Sequence, residues 1–96
     1  MKARFLVAAR SEFDAAMDYY ESQAAGLGAE FLIEVEHCVA RVLENAEIGA
    51  PHIGETRRVL LTRFPYSVVY LPEDDEVVVV AVAHHRREPG YWTDRT

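Results

Sequence analysis

The chain has 96 residues, half of them apolar and 27% charged, with 10 Lys+Arg against 16 Asp+Glu and a formal net charge of -6. At this length it makes one domain, residues 1–96, with a single core that buries roughly 60–65% of the unfolded chain's surface. The apolar share excludes a disordered polymer, and the acid excess argues against sequence-specific DNA binding, which needs positive charge to neutralise phosphates.

The elements follow in chain order. Residues 2–8 alternate in part and read as a short strand. Ser11, three residues before Asp14, has the spacing of a capping box, so the first helix is expected to start there. Phe13, Ala16, Met17, Tyr20 and Ala24 then recur at helical spacing, and Gly26 falls where a helix ends. Leu27, Phe31, Val35, Val39, Val42 and Ala46 mark a second, longer amphipathic helix, stopped by residues 45–49 and Pro51. The short link between the two predicts an antiparallel helical hairpin.

The period then changes from helical to strand-like. Residues 57–64 read as a strand, Pro65 breaks the run, and residues 66–71 form the next strand. Pro72 and the acids Glu73, Asp74, Asp75 and Glu76 make a solvated turn. Residues 77–83, apolar on both faces, mark a central strand covered on both sides. The expected fold is α+β: a strand, a helical hairpin and a three-stranded antiparallel meander, with the helices on one face. Tyr91 and Trp92 are placed to fold back over part of the other face. A partner chain is expected over the rest.

One cysteine cannot make an internal disulfide, and no apolar run nears the roughly 20 residues of a membrane span. The run Phe5–Ala9 is too short for a signal-peptide core, so the expected location is the cytoplasm. The charge is unevenly divided. Residues 1–55 carry four basic groups against ten acids; residues 56–96 carry six Arg against six acids, four of them in the turn. Strands and tail therefore hold a local surplus of Arg, the better side chain for gripping phosphate or carboxylate in bidentate fashion.

His84 and His85 end the last strand and point to opposite faces of it, His84 with Val78, Val80 and Val82 and His85 with Val79 and Ala81. One of them is a candidate general acid or base. Arg57 and Arg63 share a strand face, and Arg58 lies on the other. Arg86, Arg87 and Arg95 lie in the tail. Arg with His and Tyr91 suits either a phosphoryl transition state or the acidic side chains of a partner. Cys38 reads as a small apolar residue of the long helix, and neither His37 nor His52 has metal-ligand spacing with it. No Gly-rich phosphate loop, nucleophile elbow or metal-ligand cluster is present, so no cofactor and no metal are expected.

Several pieces in order resemble the RelE/ParE superfamily of type II toxin–antitoxin toxins, and within it the ParE-like, plasmid-stabilisation branch. They are Tyr20-Glu21, Gly26-Leu27-Gly28, Phe31 and Pro51; Arg63-Phe64-Pro65-Tyr66 with Tyr70; and Ala81-Val82-Ala83-His84, Arg87, Pro89, Tyr91-Trp92 and Arg95. The resemblance implies a growth-inhibiting toxin neutralised by a small antitoxin whose C-terminal segment wraps it. It also implies one of two targets, mRNA on the ribosome for RelE-like members or DNA gyrase for ParE-like members. A RelE-like chain would use His84, Arg63, Arg87 and Tyr91 in catalysis. In either branch Arg57, Arg58, Arg63, Tyr70, Arg86, Trp92 and Arg95 are expected to meet the antitoxin or the target. RelE-like members commonly have an Arg after the residue matching Tyr66 and are strongly basic. This chain has Ser67 there, a single Lys and an acid excess. The departures favour a ParE-like toxin without a reaction of its own, with a RelE-like nuclease and a non-toxic, antitoxin-binding module as the alternatives.

Overall fold

Val77–Val82 are all at most 4% exposed, and the topology accounts for it. In the computed structural model, which describes Met1–Thr96, the elements are β1 (Lys2–Phe5), α1 (Val7–Gln23), α2 (Leu27–Glu44), β2 (Ala50–Pro51), β3 (Arg57–Leu60), β4 (Tyr66–Pro72) and β5 (Glu76–His84), with a closing 3-10 turn at Thr93–Arg95. They form one five-stranded sheet in the order β1-β5-β4-β3-β2. β5 is thus flanked by β1, which it pairs in parallel, and by β4, antiparallel. Helices cover one face of it and the tail covers part of the other.

The α+β class and the helical hairpin are as expected. Gly26 adopts φ 87°, a left-handed conformation that favours glycine. The carboxylate of Glu21, at the end of α1, accepts hydrogen bonds from the N–H groups of Gly26 and Gly28, so one helix caps the start of the next. This gives the Tyr20-Glu21 and Gly26-Leu27-Gly28 pieces a common physical reason. On α2, Phe31, Val35, Cys38 and Val42 face the sheet and are at most 4% exposed. Phe31 packs edge-on to Phe64 and Tyr66 at 5.1 Å from each, and Tyr20 joins the same group. Burial pushes the Cys38 thiol up to about 11, which leaves it an inert apolar group at neutral pH.

Four expectations are corrected. The first strand ends at Phe5, and the helix begins at Val7 rather than at Ser11. The last ladder bond runs from Leu6 N–H to the Val79 carbonyl; Leu6 is the N-cap, and no side chain caps the helix. The strand expected over 57–64 stops at Leu60, because Glu34 of α2 accepts the N–H groups of Thr62 and Arg63 and holds that segment in a bend. Arg63 therefore leaves the sheet and does not share a face with Arg57. The meander has four strands, since the two-residue β2 pairs Ala50 with Arg58 and Pro51 with Arg57.

The fourth correction concerns β5. Opposite the step from Val69 to Tyr70 on β4, β5 advances from Ala81 to Val79, so Val80 is an extra, bulged residue. Val80 and Ala81 both face Trp92, while Val79 and Val82 both face the helices. The bulge resets the alternation. His84 remains with Val82 on the helix face, but the face it ends is that of Val77 and Val79, not of Val78 and Val80.

Candidate functional site

Beyond His84 the chain makes successive turns, from Arg87 N–H to the His84 carbonyl, from Tyr91 N–H to that of Glu88 and from Thr93 N–H to that of Gly90. These carry it back across the sheet and seat Trp92, 2% exposed, on Val69, Val80 and Ala81. β1 ends opposite Val79, so the edge of β5 beyond it has no strand partner. Two side chains satisfy that edge: Glu12 accepts from the Val82 N–H at 3.0 Å and Arg95 donates to the Val80 carbonyl at 3.1 Å. Glu12 also takes two hydrogen bonds from the Arg95 guanidinium and one, of 2.5 Å, from the Tyr91 hydroxyl. Burial and the adjacent carboxylate hold the Tyr91 phenol well above its ordinary range, and the hydrogen bond to Glu12 raises Arg95 further.

The tail and the uncovered part of the sheet enclose a cleft of about 170 Å³. Cross-strand neighbours share a face. Arg58 stands beside Val69 and Ala81, and Leu60 beside Ser67 and Ala83. These two rows make the floor, and Arg58, His52, His85 and Arg87 stand around it. His85 Nε2 lies 3.0 Å from the Ser67 hydroxyl. His52 packs against the Trp92 ring at 5.6 Å, and its pKa is lowered by burial first and by Arg58 second. On the helix side a second depression, of about 340 Å³, is lined by Glu12, Ala16, Tyr19 and Tyr66. His84, Arg87 and Tyr91 line both and form the wall between them.

Of the four residues named for catalysis, His84, Arg87 and Tyr91 therefore come together, and Arg63 does not. Arg63 is exposed beside α2, paired with Glu30, which raises its pKa through a direct hydrogen bond. His84 accepts the Arg86 N–H on Nδ1 at 3.0 Å, which places its own proton on Nε2, and its ring meets Tyr66 edge-on at 5.0 Å. The guanidinium carbon of Arg87 lies over the Tyr91 ring, 3.8 Å from its centre.

Of the residues expected at an antitoxin or target interface, Arg58 is exposed on the cleft and Arg86 is exposed beyond it. Three others are spent inside the fold. Tyr70 is 0% exposed; its hydroxyl donates to the Ala46 carbonyl and accepts from the Gly49 N–H. Arg57 donates to the carbonyls of Glu47 and Gly49, and Trp92 is under the tail. Arg95 is held by Glu12. Sequence reasoning missed Glu12, His52 and the Ser67–His85 contact, because each depends on partners far away in the chain.

The chain is thus a small α+β domain whose second sheet face is covered only in part by the tail, with a cleft lined by Arg and His side chains. Residues 3–89 match the family described as the ParE toxin of type II toxin-antitoxin system, parDE. The chain belongs to the ParE toxin family. Its fold is similar to that of a solved structure described as the chromosomal ParDE TA system from P. aeruginosa, with a TM-score of 0.73 and 19% sequence identity over 88% of this chain and 95% of that one. No curated protein matches the chain by sequence. No helix is long and apolar enough to cross a membrane.

Proposed function

We propose that this chain is a toxin that acts by binding, with DNA gyrase as its target, and that a small cognate antitoxin neutralises it in a hetero-oligomer. Membership of the ParE family supports the class of target. The observation that carries the non-enzymatic reading is the 2.5 Å hydrogen bond from Tyr91 to Glu12. A nuclease built on His84, Tyr91 and Arg needs a phenol free to meet the scissile phosphate and a guanidinium to neutralise it. Here the phenol and Arg95 are both committed to the Glu12 carboxylate and Arg63 is turned away beside α2, so Arg87, which has no ion pair, stands over a tyrosine whose hydroxyl is already engaged.

The antitoxin is supported by unfilled apolar surface. Phe5, Phe13, Val35, Val39 and Leu43 line a groove of about 270 Å³ where β1 meets the two helices, a shape that suits the apolar stripe of a partner helix. Expression of the chain alone in a bacterium is expected to arrest growth, and co-expression of the small gene beside it to restore growth. Purified chain with gyrase and supercoiled DNA is expected to accumulate cleaved DNA–gyrase complexes. Cutting of mRNA in the ribosomal A site, abolished by His84→Ala, would replace this reading by the nuclease; no growth arrest at all would replace it by a non-toxic antitoxin-binding module.

A further inference from the structure

The four ion pairs of the chain engage Arg4, Arg10, Arg63 and Arg95. Arg58 and Arg87 therefore stand on the two sides of the cleft without a carboxylate. Glu88 is the one acid on the same rim, so two full positive charges face one negative charge before any histidine is protonated. Between them the floor carries the apolar side chains of Val69, Ala83 and Leu60, the last 55% exposed, with the Ser67 hydroxyl engaged by His85. Cations at the edges with an apolar strip between them match a segment that alternates acidic and apolar side chains.

We propose that this cleft binds the carboxylates of an extended, acidic peptide segment of a partner protein, with Arg58 and Arg87 each gripping an acid and Leu60 receiving the apolar side chain between them. The proposal rests on the reading of the chain as a binding toxin and names the chemistry of one face of its partner. Carboxylate is favoured over nucleic acid by the state of the aromatic side chains. Single-stranded nucleic acid needs an exposed aromatic platform for its bases, and here Trp92 is 2% exposed and Arg87 covers one face of Tyr91 at 3.8 Å.

The single Trp of the chain, Trp92, lies against His52 at the cleft and reports binding by its fluorescence. The full-length chain is titrated with a capped hexapeptide alternating Leu and Glu, with the same peptide carrying Gln for Glu, and with an oligouridylate of equal charge. The Leu–Glu peptide is expected to saturate the signal and the Gln peptide to bind about tenfold more weakly or not at all, since two exposed charge contacts are lost. Arg58→Ala and Arg87→Ala are each expected to weaken the Leu–Glu peptide roughly two- to fivefold. Arg41→Ala, on the exposed side of α2, leaves it unchanged. Circular dichroism melts confirm that these surface variants fold. Equal binding of the Glu and Gln peptides, or no binding of either, overturns the proposal; displacement of the peptide by the oligouridylate reassigns the cleft to nucleic acid. The titration requires no toxicity, so its failure is separable from a failure of the growth-arrest test.

Discussion

Glu12 of α1 and Arg95 of the closing turn, 83 residues apart, are joined by two hydrogen bonds of 3.0 Å each, with side chains 16% and 20% exposed. The pair holds the end of the chain against its beginning. It also satisfies the edge of β5 that β1 leaves unpaired, through the Val82 N–H and the Val80 carbonyl. Removing one member leaves the other largely desolvated and opens that edge to water. Glu12→Gln is expected to cost about 2 kcal/mol, below the 3–5 kcal/mol of a fully buried pair because both groups keep some solvent. Urea denaturation measures the loss, and Trp92 fluorescence is expected to shift to the red as the tail loosens. A variant as stable as the parent would mean that Trp92 packing alone holds the tail.

Tyr70 was expected at an interface, and its position makes a different prediction. Its hydroxyl bridges the Ala46 carbonyl at 2.8 Å and the Gly49 N–H at 3.0 Å, tying the loop after α2 to the sheet. Tyr70→Phe is expected to destabilise by about 1–2 kcal/mol, because both loop groups lose a buried partner. Gly49→Ala is expected to cost about as much or more, since a methyl group there would lie 2.7 Å from the Tyr70 hydroxyl and force the loop away. Both effects belong to folding. Binding of any partner, measured well below the melting temperature, is expected to stay at the parental level.

Protonation offers a third test. His52 titrates below its ordinary value in the folded chain, first because it is buried and second because of Arg58. The unfolded chain therefore holds a proton on His52 at pH values where the folded chain does not. The stabilisation linked to this residue is present above the ordinary histidine range and is lost as pH falls through it. Arg58→Ala removes the second cause and leaves the first. The His52 imidazole, followed by NMR, is expected to move up towards the ordinary value without reaching it. No movement would place Arg58 too far away to act, and weaken the electrostatic account of the cleft.

Much of this was legible in the sequence, and what was not has a physical reason. Helical periodicity gave α2 because a stripe of Phe31, Val35 and Val42 has one face to bury. The all-apolar run of β5 identified a strand covered on both faces. The bulge at Val80 was invisible, since an extra residue in a run of valines changes no residue type. β2 was invisible because two residues, one of them Pro at a sheet edge, carry no period. The bend after β3 depends on Glu34, which lies 28 residues from Thr62. The Arg surplus is legible as a sum but not as one surface: Arg57 and Arg95 are engaged within the fold, Arg63 is exposed but paired with Glu30, and Arg58, Arg86 and Arg87 carry no ion pair.

Tyr91 separates the two main functional readings most cleanly. In the binding reading its hydroxyl serves the tail, by donating to Glu12 at 2.5 Å, and its ring supports Arg87. Tyr91→Phe keeps the ring and removes only the hydroxyl. The expected result is a loss of about 1 kcal/mol in stability, with growth arrest retained at a temperature where the variant is folded. In the nuclease reading the hydroxyl meets the reacting phosphate, and the same substitution abolishes arrest without unfolding the chain. Tyr91→Ala removes the ring as well, frees Arg87 and exposes Trp92, and is expected to lower stability and toxicity together. Growth curves read beside the melting temperature of each variant therefore distinguish a phenol that holds the tail from one that does chemistry.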